Sequence, residues 1–133
     1  MTASLKLYLC DTNVIVRYLL DETTSQGKRA SDLFEKTLSG QVKVIVMEAV
    51  FVETIFVLSK VYQVPRSELS QTMRHFLQYK GIVNDSKTIW LQALDLYDKS
   101  NLHIVDCLLA AKSQHHNVDL ITFDQHLSKL TSS

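Results

Sequence analysis

Sharp breaks are scarce in this chain. Three Gly and one Pro in 133 residues leave few forced turns and point to long regular elements with much helix. Cysteine is nearly absent. Cys10 and Cys107 form no C-x-x-C pair and no zinc-ligand spacing, which excludes the common thiolate metal motifs. Both sit among apolar neighbours, so they are expected to pack in a core, without a structural disulfide, in a reducing cytoplasm. No run of 18 apolar residues exists, so no membrane span is expected. Met1-Thr2-Ala3-Ser4 lacks the basic start and long apolar segment of a secretion signal. Neither sign of charge is in excess, with 14 Lys+Arg against 14 Asp+Glu. That balance neither favours nor excludes nucleic acid, because local fields steer a charged ligand. There is also no repeat, no low-complexity tract and no linker. What is present is an apolar fraction of 46% and a charged fraction of 21%, the make-up of one soluble globular domain over residues 1–133.

Apolar periodicity divides the chain into alternating strands and helices. Leu5 to Leu9 alternates apolar residues on both sides, as does the centre of a parallel sheet, and it ends at Asp11. A short helix follows from Asn13 to Leu20. The polar turn Asp21-Glu22-Thr23-Thr24 starts a second helix, which runs to about Ser39 and stops at Gly40. Val42 to Met47 is rich in β-branched residues and reads as the second strand. Helices are expected over Glu48–Tyr62, Arg66–Tyr79, from Asp85 or Ser86 past Tyr97, and Ile104 to about His116. Val64-Pro65 separates the first two of these. Ile82–Asn84 is a brief third strand, Val118–Thr122 a last clear strand, and Asp124–Leu130 a terminal helical turn or two. Strands alternating with helices imply right-handed crossovers and a mainly parallel sheet, an α/β architecture.

Most of the acids have an ordinary place. Asp32, Glu35, Glu68, Asp95 and Asp98 fall on polar helix faces, and Asp21, Glu22 and Asp85 fall in turns or caps. Glu48 begins a helix, where an acid suits the macrodipole. Four acids stand apart. Asp11 and Asp124 each end a strand, and each is either a helix cap or a ligand. Glu53 lies in Ala49–Leu58, a helix apolar nearly all round, so burial of its carboxylate is expected. Asp106 lies in the apolar segment Ile104–Ala111. Its alternative role is to meet the amides at that helix start. The crossovers allow all four to converge on one edge of the sheet. Two carboxylates 4 Å apart repel by roughly 4 kcal/mol at an effective dielectric of 20, so such a group needs protons or a cation. Oxygen ligands alone favour Mg²⁺ or Mn²⁺. An ion of that kind serves phosphodiester hydrolysis well, by polarising the phosphoryl oxygen and activating water.

At these residues the chain resembles a PIN domain, most like the VapC-type toxin ribonucleases. Asp11-Thr12-Asn13 is similar to the family's opening motif. Glu53 followed by Phe56, Val57 and Leu58 is similar to the helix of the second acid. Asp106 with Ala110 and Ala111 is similar to the third, and Thr122-Phe123-Asp124 to the closing T-x-D. The resemblance spans nearly the whole chain and implies a three-layer α/β/α sandwich with metal-dependent endoribonuclease activity. It makes Asp11, Glu53, Asp106 and Asp124 the acidic quartet. Asp11 and Asp106 would be the most direct metal ligands. Glu53 would hold a water on the metal or act as base, and Asp124 would support a second ion. Asn13 and Thr122 would orient carboxylates or water. It further implies an RNA substrate, a small antitoxin partner and a homodimer. Two other readings stay open: a PIN nuclease of RNA processing or decay with no antitoxin, and a PIN-like module that binds RNA or protein without cutting.

The remaining candidates are weaker. His115 and His116 are adjacent, about 100° apart on a helix, and are expected at an exposed helix end. His103 and His126 lie near Asp106 and Asp124. With the quartet set aside, 14 basic residues face 10 acidic ones. Arg17, Lys28, Arg29, Arg66 and Arg74 are the candidate phosphate contacts, with plain surface charge as the alternative for each. Aromatic and basic residues do not interleave as they do on a stacking platform.

Overall fold

A computed structural model describes residues 6–131. The chain opens with strand β1 (Leu7–Leu9), followed by helices α1 (Thr12–Leu19) and α2 (Ser25–Ser39), strand β2 (Lys43–Ile45) and helices α3 (Glu48–Lys60) and α4 (Arg66–Leu77). Helices α5 (Lys87–Lys99), α6 (Ile104–His116) and α7 (Gln125–Thr131) complete it. The fold class is α/β, as expected, but helix dominates and the sheet is smaller than the sequence suggests.

β1 and β2 pair in parallel, with Leu7 opposite Lys43 and Leu9 opposite Ile45. The strand at the centre is β2. Val44 and Val46 are 0% and 1% exposed, whereas Leu7 and Leu9 of β1 are 56% and 71% exposed. The expectation of a buried central strand at Leu5–Leu9 is therefore corrected. Its alternating leucines lie on the sheet's edge, and Leu5 falls outside the described residues. On the far side of β2, Ile82 forms a single parallel bridge with Val44. Asn84 then lends its side chain to the ladder. The Val46 amide donates to Asn84 Oδ1 at 3.1 Å, and Asn84 Nδ2 donates to the Val46 carbonyl at 2.6 Å. A side-chain amide thus does the work of a peptide group, which explains why the third strand stops there. Val118–Thr122 forms no strand at all. Ile121 and Phe123 are 92% and 103% exposed, so its β-branched composition lacks the neighbour that would make it a strand.

The helix boundaries follow local chemistry. Thr24 caps α2 by accepting from the Gly27 amide at 3.0 Å. Gly40 ends α2 at φ 86°, a left-handed conformation that suits glycine. Pro65 precedes α4, where its missing N–H costs nothing. The core lies between β2 and the helices. Phe51 stacks on Trp90 with ring centroids 4.5 Å apart. Phe34 lies 4.7 Å from Tyr18 and 5.1 Å from Phe76. The Tyr18 and Tyr79 hydroxyls share a hydrogen bond of 2.6 Å. Burial, together with that bond, pushes the Tyr18 phenol above its ordinary range. Each large apolar side chain buried here contributes roughly 1.5–3 kcal/mol.

Candidate functional site

Asp11 stands just past the carboxyl end of β1 and is the N-cap of α1. Its Oδ1 accepts the Asn13 amide over a long 3.4 Å, and the residue is exposed. The cap and ligand roles are compatible here, because one weak bond leaves most of the carboxylate's lone pairs free. Asp11 lines a cavity of about 430 Å³ between α1 and α2, together with Asn13, Arg17 and Arg29. Cys10, on the preceding position, is buried as a free thiol. Burial, and then the Asp11 charge, push its pKa up to about 12, so it stays an inert packing group. Cys107 is likewise buried and free.

Asp106 is half-buried in the first turn of α6. It lines a different cavity, of about 510 Å³, between α3 and α6, where Val52, Phe56, Arg66 and His103 also lie. Glu53 is exposed, which corrects the expectation of a buried carboxylate. The reason is a matter of face. Phe51, Thr54, Ile55 and Leu58 form the buried stripe of α3. Glu53 projects about 200° from Phe51, on the opposite side. An apolar helix need not be buried all round, and Phe56 on the outer side is 58% exposed. Asp124 is exposed and caps α7, its Oδ1 accepting the Leu127 amide at 3.0 Å. Thr122, half-buried, accepts the Asp124 amide on Oγ1 at 3.1 Å. Among the described residues no three His, Cys, Asp or Glu side chains gather closely enough to hold a metal ion. Asp11 and Asp106 face separate cavities.

The basic candidates separate by their partners. Arg66 is engaged structurally. Its guanidinium donates to the Tyr97 carbonyl at 3.1 and 2.7 Å and to the Leu102 carbonyl at 2.7 Å, and it lies 3.7 Å from the Tyr97 ring centroid. Arg74 is 3.8 Å from Asp95. Arg17 Nη1 donates to Glu22 at 2.7 Å. Lys28 and Arg29 are exposed and make no ion pair among the described residues. His115 and His116 are exposed at the end of α6, as expected.

Glu48 has the structural role that the macrodipole suggests, and two further partners hold it. Lys112 Nζ donates to it at 2.6 Å and Trp90 Nε1 at 3.0 Å, tying the start of α3 to α6 and α5. Burial alone would raise its pKa, but these hydrogen bonds outweigh it and hold the carboxyl below the usual range. Sequence reasoning passed over Tyr8 and Gln26, which also line the Asp11 cavity. The available signal was helical spacing, since Gln26, Arg29 and Leu33 share one face of α2.

The PIN domain family model matches residues 8–132. The VapC ribonuclease of Aquifex aeolicus (strain VF5) is 24% identical over 123 residues, covering 92% of this chain and 90% of its own. The chain therefore belongs to the PIN domain family.

Proposed function

We propose that this PIN-domain nuclease is a Mg²⁺- or Mn²⁺-dependent endoribonuclease, and that it is the toxin of a toxin–antitoxin pair. The observation that carries the proposal is Asp11. It is an exposed carboxylate at the carboxyl end of a parallel strand, held by one weak hydrogen bond and facing a cavity shared with basic side chains. Ligands of α/β sheets gather at such strand ends. The likeness to a VapC ribonuclease over most of both chains supports the reaction class.

Asp11, Glu53, Asp106 and Asp124 are the proposed acids, with Asn13 and Thr122 supporting them. A set of carboxylate oxygens suits a hard divalent ion, which takes one or two carboxylates and completes its shell with water and phosphate, without a cage built wholly of protein. Asp11 and Asp106 are the residues proposed to hold it; they line separate cavities, so the share of Asp106 in that ion is tested by its own variant. When bound, such an ion supplies Lewis-acid polarisation of the phosphoryl oxygen. The chain's own part is to present Asp11 rigidly at the α1 start, and to line its cavity with amide and guanidinium donors that draw in a phosphodiester. The uncovered outer face of α3, with Phe56 beside the α3–α6 cavity, supports an apolar protein partner such as an antitoxin. A homodimer and a cytoplasmic location belong to the same proposal.

A second reading has its own support. No three acids meet among the described residues, which favours a module that binds RNA or protein without cutting. One experiment separates the two. The purified chain is incubated with RNA and Mg²⁺ or Mn²⁺, with and without EDTA, beside the Asp11→Asn variant. Cutting that stops with EDTA and with the variant supports the metal nuclease. Binding without cutting in any condition supports the second reading. Expression of the chain alone then tests the toxin role. Growth arrest that the Asp106→Ala form does not cause supports a toxin, and equal growth of both favours an RNA-processing nuclease.

A further inference from the structure

The cavity beside Asp11 holds more unpaired donors than a structural crevice needs. Asn13 and Arg17 lie one turn apart on α1, and Gln26 and Arg29 lie about one turn apart on α2, so each pair shares a helix face. The two faces meet because α2 starts hard against the preceding turn. A Cβ at Gly27 would collide with the Glu22 carbonyl oxygen, so only glycine allows this approach. The result is a cavity of about 430 Å³, inside the roughly 300–1,000 Å³ range of small-ligand sites.

Its charges are not neutralised by one another. Arg29 makes no ion pair and no hydrogen bond among the described residues, and Asp11 is no partner to it although both line the same space. Arg17 is oriented by Glu22, yet its Nε is buried with no hydrogen-bond partner. That buried N–H faces the protein and not the cavity, so the exposed Arg29 guanidinium is the donor that an oxygen-rich anion can reach. Tyr8, 38% exposed, lines the cavity with an aromatic ring that carries the Lys6 ammonium 5.8 Å from its centroid on one face, and Leu33 adds an apolar wall. A planar apolar face beside a free guanidinium and two amides matches one chemical class, a nucleotide: base on the ring, phosphate on the arginine.

We propose that the cavity between α1 and α2 is a subsite for the nucleotide next to the scissile phosphate of single-stranded RNA, with Arg29 binding its phosphate and Tyr8 stacking its base. The assignment rests on the reading that the chain cuts RNA at Asp11. Arg17 and Glu22 position the cavity's α1 wall. Arg66 and Arg74, engaged elsewhere in the fold, lie outside the subsite.

The test is a fluorescence-anisotropy titration with a labelled single-stranded RNA of about 12 nucleotides, on an Asp11→Asn background that prevents cutting. Arg29→Gln is expected to weaken binding by about tenfold and to lower the salt slope by about 1. Tyr8→Leu is expected to weaken it about fivefold with the salt slope unchanged. Arg74→Gln is expected to stay within about twofold and serves as the surface-charge control. Arg29 is exposed, so its variant should keep the parent's thermal transition. The same Arg29→Gln change in the Asp11-intact chain is expected to raise KM by about tenfold. If the intact chain cuts RNA but Arg29→Gln changes neither affinity, slope nor KM, the subsite is overturned and the nuclease reading stands. If no form binds or cuts RNA with Mg²⁺ or Mn²⁺ present, the nuclease reading fails and the subsite fails with it.

Discussion

Behind β2 the molecule is closed. Phe34, Phe51, Trp90 and Phe76 are each 0% or 1% exposed and touch one another in two aromatic groups. Along β1 and along the segment before α7 it is open. Leu9, Ile121 and Phe123 are 71%, 92% and 103% exposed, although all three are as apolar as the buried set. The same side-chain chemistry thus gives opposite outcomes, decided by whether a neighbour arrives. On the closed side, stability comes from burial. On these two open stretches stand Asp11 and Asp124, both at the ends of exposed segments and both capping helices. Each carboxylate accepts one backbone hydrogen bond, which leaves most of its lone pairs available to a cation or a substrate. The contrast predicts that the two sides can be damaged separately.

The largest separation concerns activity. Asp11→Asn should reduce RNA cleavage at least about a thousandfold, about 4 kcal/mol on the barrier, while urea unfolding stays unchanged, because the residue is exposed and its one bond is long. Loss of fold together with activity would break the separation. On the closed side, Trp90→Ala should cost about 3–5 kcal/mol in urea unfolding, since it removes the stack on Phe51 and the donor to Glu48. A cost under about 1 kcal/mol would show that the closed side is looser than its geometry.

A smaller effect follows from Glu48. Its lowered pKa means its carboxylate is stabilising above the ordinary value of 4.5, and this contribution fades as pH falls through the lowered value. The Glu48–Lys112 pair is more than a third exposed on both sides. Screening therefore limits their coupling to about 1 kcal/mol or less. Melting wild type and Glu48→Gln from neutral to acid pH should show the two curves approaching each other below that window. Curves that diverge on acidification would reverse the sign and refute the pairing. The smallest expected change is on the open side. Ile121→Ser should alter stability by no more than about 0.5 kcal/mol. A loss above about 1 kcal/mol would mean that Val118–Phe123 is covered in solution, and the two sides would then differ less than they do here.

The helices were legible because their signals are local. Thr24, Gly40 and Pro65 marked boundaries that the structure keeps within a residue or two, since caps act through bonds of three or four residues' reach. The basic and acidic candidates were legible only as types. Arg66 looked like a phosphate contact, yet it grips the Tyr97 and Leu102 carbonyls. Nothing in Pro65-Arg66-Ser67 announces partners more than 30 positions away. Glu53 looked buried because its helix is apolar on nearly every side, and composition does not say which side faces the core.

The sequence by itself determined the periodic elements, the order of the acids and membership of the PIN family, because spacing and motif order survive without knowledge of neighbours. Only the tertiary structure decided which strand is central, which face of α3 is wet, and which arginines are free. Those depend on contacts between residues far apart in the chain, where a hydrogen bond or a covered face exists only once the other partner has arrived. Asn84 illustrates the point: its side chain completes the β2 ladder, a role that its position in the sequence does not reveal.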